Sequence, residues 1–447
     1  MKRYILLIII SILYTTSAYA NPVDLFGGFS NTSGKGDTAA ASCRNSQCLY
    51  YNPGGLALGK GLVFEGGLIF QVSSLDTPAD SQSIRDPFMV GAGVAFPLPF
   101  RGFLQDRIRV GLFAVTPINE IAWVRSRLPQ EVFYPYYENR SQRLMLIPGL
   151  SFKLFDSPTY GRIGLGIGLN YFAGLEGAIV GYEGATRSVE ARVFEELEGR
   201  VAVNAGISYE ISNWFFGLSY RQAFGVDFHN VSFNHVAGTD INIDLNALAL
   251  YSPHTITWAG AYRTKTWGLE LNILENLWSY YNTPYVKMRS VLPLVGFLAG
   301  ELPDVPLKNT ITVRLGGEFH SGDFTYRAGI GYEPSFSPVQ KGISNVMDGD
   351  KYTFSLGASW AITKRVSIHA HLRYQVLAGI THRKSIITTD ATCGEIPVKQ
   401  DGSLVDELPC VADDPTTAGF QTTNPGYPSV TSGGGIFSGG ISVEVRQ

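Results

Sequence analysis

The chain has 447 residues, with 50 Gly, 26 Phe, 23 Tyr and 6 Trp, and only 16% of its residues are charged. Many aromatics and little charge exclude an intrinsically disordered chain, and so much glycine argues against a helix-rich enzyme, because glycine disfavours helix interiors. The formal net charge of −3 provides no general basic surface for nucleic acid.

Lys2 and Arg3 precede an apolar run from Ile5 to Tyr14, and Ala18-Tyr19-Ala20 supplies a small-x-small cleavage site. This is the pattern of a secretory signal peptide over residues 1–20, with the mature chain starting at Asn21. An uncleaved anchor helix is the alternative, but the run is short for a span of about 20 residues. No later stretch reads as a transmembrane helix: Leu292 to Gly300 is short and interrupted by Gly296. An exported chain without such a helix can still enter a membrane as a closed barrel. Four cysteines fit an oxidising compartment. They fall as Cys43 with Cys48 and Cys393 with Cys410, and the long gap favours these local pairings. Free thiols or a metal site are the alternatives, although no His stands near Cys43 or Cys48 to complete a zinc set.

The body of the chain reads in period two. Between Arg162 and Tyr171, the residues Ile163, Leu165, Ile167, Leu169 and Tyr171 alternate with Gly164, Gly166, Gly168 and Asn170. Such alternation predicts a strand with one apolar face. Strands of soluble sandwiches run to about five or six residues, whereas runs near twice that length match a tilted bilayer crossing. Fourteen such segments are predicted, at 59–73, 89–99, 107–117, 142–155, 161–174, 198–211, 213–228, 254–264, 266–279, 309–320, 323–334, 350–363, 365–381 and 433–446. After the first strand the links alternate. Long ones lie at 74–88, 118–141, 175–197, 229–253, 280–308, 335–349 and 382–432, and short ones include Ser212, Lys265, Ser321-Gly322 and Lys364. Short periplasmic turns opposite long outer loops are the pattern of an outer-membrane barrel. Trp214, Phe216 and Tyr220 share one face of the seventh segment, and Tyr352, Phe354 and Trp360 one face of the twelfth, as interfacial girdles would. Core packing of a soluble barrel is the alternative. The predicted fold is all-β, a transmembrane antiparallel β-barrel of about 14 strands over 59–447. Residues 21–58 precede it as an N-terminal plug in the lumen.

With the apolar face turned to lipid, the other face lines the lumen. Strand parity then assigns Arg314, Glu318, Arg327, His369, His371 and Arg373 as lumenal ligand candidates, with Ser367, Arg365, Glu65, Arg221, Arg263 and Glu270 on the same side. Either these charges form compensating ladders or some hold the polar head of a ligand. Glu318 is the one clear acid beside the three late arginines. The outer loops are apolar for exposed segments. One carries Ile121, Trp123, Val132, Phe133, Tyr134, Tyr136 and Tyr137. Another carries Val291, Leu292, Leu294, Val295, Phe297 and Leu298, and Leu292, Leu294, Val295, Phe297 and Leu298 are candidates for a capture surface. Packing of the loops on one another is the alternative.

Tyr51-Asn52-Pro53-Gly54-Gly55-Leu56-Ala57, just before the first strand, resembles the Asn-Pro-Ala-Gly-Leu-Ala plug motif of the FadL family of outer-membrane transporters, which includes the TodX-type channels. Gly54 replaces the usual Ala. Asp348-Gly349-Asp350-Lys351, running on to Ser355 and Gly357, resembles the family's Asp-x-Asp-Arg-x-x-x-Ser-x-Gly stretch, with Lys351 in place of Arg. Arg327-Ala328-Gly329 followed by Ser337-Pro338-Val339 is similar to its Arg-x-Gly and Ser-Pro-Val pattern, and Trp278-Ser279 to a family strand end. The resemblance implies a monomeric barrel in outer-membrane lipid and lipopolysaccharide, with a plug and a lumenal hydrophobic pocket. It also implies lateral release through a kink in the third strand. The plug-motif residues Asn52, Pro53, Gly54, Gly55, Leu56 and Ala57 carry over as its site.

The expected function is passive uptake of hydrophobic small molecules, long-chain fatty acids or aromatic hydrocarbons. Loops capture the ligand, the lumen binds it, and plug movement releases it. Two other classes of function are the alternatives. A hydrolase in the barrel wall would need a Ser–His constellation such as Ser367 with His369 or His371. A FadL-like barrel could instead serve as an adhesin or protein-export partner, docking through loop 382–432. Gly-x-Gly runs lie inside strands, so no nucleotide site is predicted, and Asp348-Gly349-Asp350 has too few carboxylates for calcium. No cofactor and no metal are expected.

Overall fold

A computed structural model describes residues 23–76, 86–118, 134–138, 144–183, 189–236, 239–281, 287–290, 305–338, 346–383, 387–388, 411–412 and 429–447. Seventeen of its strands form one sheet. Three of them, Phe224–Val236, Thr239–Ser252 and Lys287–Ser290, build outward from the long-loop end. The other fourteen close into an antiparallel barrel, the architecture that the alternation predicts. They are β1 Val63–Leu75, β2 Phe88–Pro97, β3 Ile108–Pro117, β4 Met145–Ser157, β5 Gly161–Glu183, β6 Val189–Ile211 and β7 Trp214–Arg221. The circle continues with β8 His254–Arg263, β9 Trp267–Leu277, β10 Thr310–Ser321, β11 Phe324–Glu333, β12 Lys351–Ala361, β13 Val366–Arg383 and β14 Ser429–Arg446. β14 returns to β1, from Val63↔Arg446 to Leu75↔Gly434, so the sheet has no free edge.

Period two explains the wall. In β9, Trp267, Leu269, Leu271 and Ile273 point outward, while Gly268, Glu270, Asn272 and Leu274 are buried inside. The two aromatic trios also face outward on β7 and β12. At the short-turn end Ser212 and Gly322 adopt φ of 52° and 59°, the left-handed conformation that a tight hairpin requires. The start of β1 and the end of β14 meet there, with Gln447 N donating to Leu62 O at 2.9 Å.

Two long links differ from their expected form. β5 and β6 run on as a paired ladder through Tyr182↔Glu190, where a loop over 175–197 is predicted. The link over 229–253 is largely a hairpin, which pairs in parallel with β5 through Gly177↔Asn230. Beyond the bilayer a strand needs no continuous apolar face, so the alternation fades while the backbone ladder persists. The seventh barrel strand stops at Arg221 instead of running to 228, because the chain leaves the barrel wall at Gln222-Ala223 and resumes as Phe224–Val236.

Residues 23–58 lie inside the barrel as short pieces: α1 Val23–Phe26, α2 Ser30–Ser33, α3 Cys48–Tyr51 and a 3-10 helix Pro53–Leu58. Nearly all are buried. The 3-10 helix packs against β3 to β7, and α2 against β12, β13 and β14. The signal-peptide segment 1–20 lies outside the described residues.

The ladders of β3 are unbroken on both sides, from Met89↔Pro117 to Pro97↔Arg109 and from Ile108↔Phe152 to Val115↔Met145. The third-strand kink implied by the resemblance is therefore not found. The interruption lies one seam further on. Between β4 and β5 the pairing passes in unchanged register from Leu146↔Tyr171 to Gly149↔Gly168, skipping Ile147 and Pro148, and slips by one residue between Lys153 and Phe155. Pro148 has no N–H to contribute to the ladder, which accounts for the first gap.

Candidate functional site

The plug-motif residues stand against the wall of β4 to β7. Asn52 is fully buried with extended backbone, φ −165°. Its side-chain nitrogen donates to Ala40 O at 2.7 Å and Ile207 O at 2.9 Å, and its oxygen accepts from Gly54 N at 3.1 Å. Pro53 begins the 3-10 helix, where its missing N–H has no cost. Pro53 O accepts from Ser151 Oγ at 2.7 Å. Gly54 allows the closest approach: a Cβ there would stand 2.7 Å from Gly164 O, Gly206 O and Ser208 N. Leu56 and Ala57 complete the turn, both buried. Gly55 lies beside the Cys43–Cys48 disulfide, which joins the two sides of the preceding loop with a Cα separation of 5.5 Å.

A second set of contacts is ionic. Asp37 reaches Arg373 of β13 at 2.9 Å, Asp24 reaches Arg221 of β7 at 3.1 Å, Lys35 reaches Glu270 of β9 at 3.1 Å, and Arg44 reaches Glu210 of β6 at 3.1 Å. Burial draws the Arg44 guanidinium down to about 10 against the opposing pull of Glu210. Glu65 of β1 accepts from Asn45 Nδ2, Ser46 N and Gln47 Nε2. Tyr51 O–H donates to Asp37 at 3.0 Å, and burial, reinforced by that carboxylate, holds its phenol well above the usual range, so it stays a donor. The three late arginines are therefore not a row beside a single acid, because Asp24 and Asp37 enter from the N-terminal segment. Arg373 also donates to Leu25 O at 2.7 Å. Arg327 bonds Ser359 and stands 3.6 Å from Glu318, which Arg263 holds at 2.7 Å. Arg314 differs. It is 9% exposed and makes no ion pair among the described residues, although the charges of Asp37, Asp24 and Glu333 reach it.

His369 Nδ1 meets Ser359 Oγ at 2.6 Å and His371 Nδ1 meets Ser30 Oγ at 2.9 Å. Among the described residues the opposite nitrogen of each ring has no partner, so no carboxylate there completes a triad. Ser367, the serine proposed for a hydrolase, is in neither contact.

Beside Glu65, Gln71, Arg109 and Ser151, the inner face of β1 to β4 carries an apolar patch, which parity alone did not bring out. Ile69, Met89, Phe113, Val115, Met145 and Ile147 join Leu25, Phe26, Phe29, Leu49 and Leu56 in one buried cluster. The signal was present in runs such as Val110 to Val115, apolar on both faces. The same cluster continues into a cap at the long-loop end. Tyr136 and Tyr137, from α4 Pro135–Glu138, pack there with Trp278, Phe336, Tyr251 and Tyr281. Trp278 stacks on Phe336 at 4.0 Å, and Tyr251 on Tyr281 at 4.4 Å. Tyr134, Tyr136 and Tyr137 are thus packed and not exposed.

The cap is tied down by Asp348-Gly349-Asp350-Lys351. Asp348 Oδ2 accepts from Phe336 N at 2.9 Å, Asp350 Oδ1 from Ser335 N at 2.8 Å, and Lys351 Nζ stands 2.7 Å from Asp348 and 4.4 Å above the Tyr136 ring. Burial raises the Asp348 carboxyl above its ordinary range, against the pull of Lys351. Leu292, Leu294, Val295, Phe297 and Leu298, and also Cys393 and Cys410, lie outside the described residues.

A family model described as outer membrane protein transport protein (OMPP1/FadL/TodX) matches residues 192–403. The sequence matches none of the curated proteins. Among solved structures, a FadL homologue of Pseudomonas aeruginosa is similar with a TM-score of 0.55 at 13% identity, covering 96% of this chain and 100% of that one. The CymD monoaromatic hydrocarbon channel gives 0.54 at 12%, covering 96% and 99%. The toluene transporter TodX of P. putida gives 0.53 at 13%, covering 95% and 99%. At these identities the structural likeness is one of fold. Over residues 192–403 by family model, and over the whole barrel by fold, this chain is similar to the FadL/TodX outer membrane transport proteins.

Proposed function

We propose that the chain is an outer-membrane channel for passive uptake of hydrophobic molecules, either long-chain fatty acids or aromatic hydrocarbons of the kind named for TodX and CymD. The observation that carries this reading is the continuous apolar cluster. It begins in the aromatic cap, follows the inner face of β1 to β4 and ends at Leu56 of the plug motif. A water-filled porin would have polar residues along that route. The cluster is packed shut, so passage requires the cap and the N-terminal segment to move. Behind the plug motif lies the interrupted β4–β5 seam, with the Asn170 side chain buried beside it and without a partner among the described residues. We assign lateral release to this seam.

Arg314 is the head-group candidate, because it stands between cap and plug and makes no ion pair among the described residues. A carboxylate would gain a charge-assisted bond there. A tail contributes about 0.8 kcal/mol per buried methylene, so ten give roughly 8 kcal/mol before ordering costs. The tail then sets affinity and Arg314 sets head-group choice. Arg314→Gln should weaken carboxylate binding on the order of tenfold and leave neutral hydrocarbon binding unchanged. The direct test is uptake of labelled oleate and toluene by cells lacking their own channel. Expression of this chain should raise uptake of one of them, and no gain over the empty vector would end the reading.

A further inference from the structure

At the foot of the 3-10 helix, where β2 to β5 end at the short-turn face, lies a cavity of about 320 Å³. Its lining includes four cations, Lys60, Arg109, Lys153 and Arg162, but only two carboxylates, Asp106 and Asp156. Asp156 is taken by Lys153 at 2.9 Å, and Arg162 is held by Glu210 at 2.5 Å. Lys60 and Arg109 make no ion pair among the described residues, and Asp106 is the carboxylate whose field reaches Arg109. Arg109 is the unusual member. It lies on the lumen face of β3, is 2% exposed, and donates from Nη2 to Gly61 O at 2.8 Å, while its Nε has no acceptor. A Cβ on Gly59 would stand 3.3 Å from that nitrogen, so the glycine keeps a side chain from crowding it. A buried charged donor without an acceptor is costly, and a bound group that completes it removes the cost.

We propose that this cavity is an anion site for a carboxylate or phosphate head group, with Arg109 Nε and Lys60 Nζ as donors. Two sources share that chemistry. One is the carboxylate of an amphipathic ligand released at the β4–β5 seam, whose slipped register carries Lys153; this source rests on the transport reading above. The other is the phosphate of an inner-leaflet phospholipid, which does not.

The test is calorimetric titration of the full barrel, in non-ionic detergent, with acetate and with inorganic phosphate. The parent should bind at least one of them saturably. Arg109→Gln should weaken binding on the order of tenfold, the loss of one charge-assisted bond. Lys60→Gln, at an exposed position, should weaken it severalfold without touching the fold, so the test stands even where the Arg109 variant does not assemble. Lys364→Gln, on a turn remote from the cavity, should bind as the parent does. Absence of saturable binding by the parent, or parental affinity in Lys60→Gln and in any assembled Arg109→Gln, overturns the site. Native mass spectrometry separates the sources. Phosphatidylglycerol retained by the parent and shed by Lys60→Gln identifies the lipid, and anion binding with no retained phospholipid identifies the ligand carboxylate. Anion binding in a barrel that takes up neither oleate nor toluene would leave the site standing and remove the transport reading.

Discussion

Asn52 bonds Ala40 within the N-terminal segment, Ile207 in the wall, and Gly54 at the start of its own helix. Truncation would leave those buried backbone groups unpaired, at about 1–3 kcal/mol each. Asn52→Ala should therefore loosen the plug motif and impair uptake, while heat-resistant migration of the barrel on gels stays unchanged; normal uptake would remove the turn from the mechanism. Asp37 is a second such point, because it alone neutralises Arg373 at 2.9 Å among the described residues. Removing one partner of a buried pair costs about 3–5 kcal/mol. Asp37→Asn should raise hydrogen exchange across residues 23–58 without opening the β-ladder, and protection equal to the parent would show that the pair is dispensable. Strand parity places Arg373 inward correctly from sequence. It could not show that the nearest acid would be Asp37, because residues 23–58 carry no periodicity from which to orient a side chain.

At the scale of elements, the cap depends on a buried pair, Asp348 with Lys351, both side chains fully inaccessible. Burial raises the Asp348 pKa, so the closed cap binds a proton more tightly than an open one does. Closure is then strongest below the ordinary carboxylate pKa and weakens as pH rises through the raised value. Protection factors at residues 346–350, corrected for the intrinsic pH dependence of amide exchange, should accordingly be higher below the ordinary carboxylate pKa than above the raised one; equal or lower protection at the lower pH contradicts this. The tie itself was partly readable. Asp348 to Lys351 and Ser337-Pro338 stood out as motifs, but only the fold brings Ser335 and Phe336 onto the two aspartates. The extensions of β5 and β6 were not readable as strands, since outside a bilayer they alternate no apolar face.

Across the whole molecule, the lumen divides into an apolar lane on β1 to β4 and a charged wall on β7 to β13, and the plug motif rests against the seam after the lane. A disulfide staple tests that seam. If the register Gly149↔Gly168 continued, Ile147 would oppose Asn170, so Ile147→Cys with Asn170→Cys should join β4 to β5. Oxidation should stop uptake while ligand binding is retained, and reductant should restore it, with the parent treated identically because Cys43–Cys48 also responds. A control staple, Ala92→Cys with Ala114→Cys between β2 and β3, should leave uptake intact. The reverse pattern would move release to the third strand.

The sequence by itself determined the barrel, its fourteen strands, the end that bears the long loops and the outward aromatic girdles. Each of these follows from period two and turn chemistry, which are local and leave their mark residue by residue. Only the tertiary structure decided how the lumen is filled: which arginine makes no ion pair among the described residues, that the apolar loop residues Tyr134, Tyr136 and Tyr137 fold inward as a cap, and that the ladder is interrupted beside β4, not in β3. Those features depend on pairings between residues far apart in the chain, such as Asp37 with Arg373. Contacts of that kind are set by closure of the sheet around the N-terminal segment, and no local periodicity encodes them.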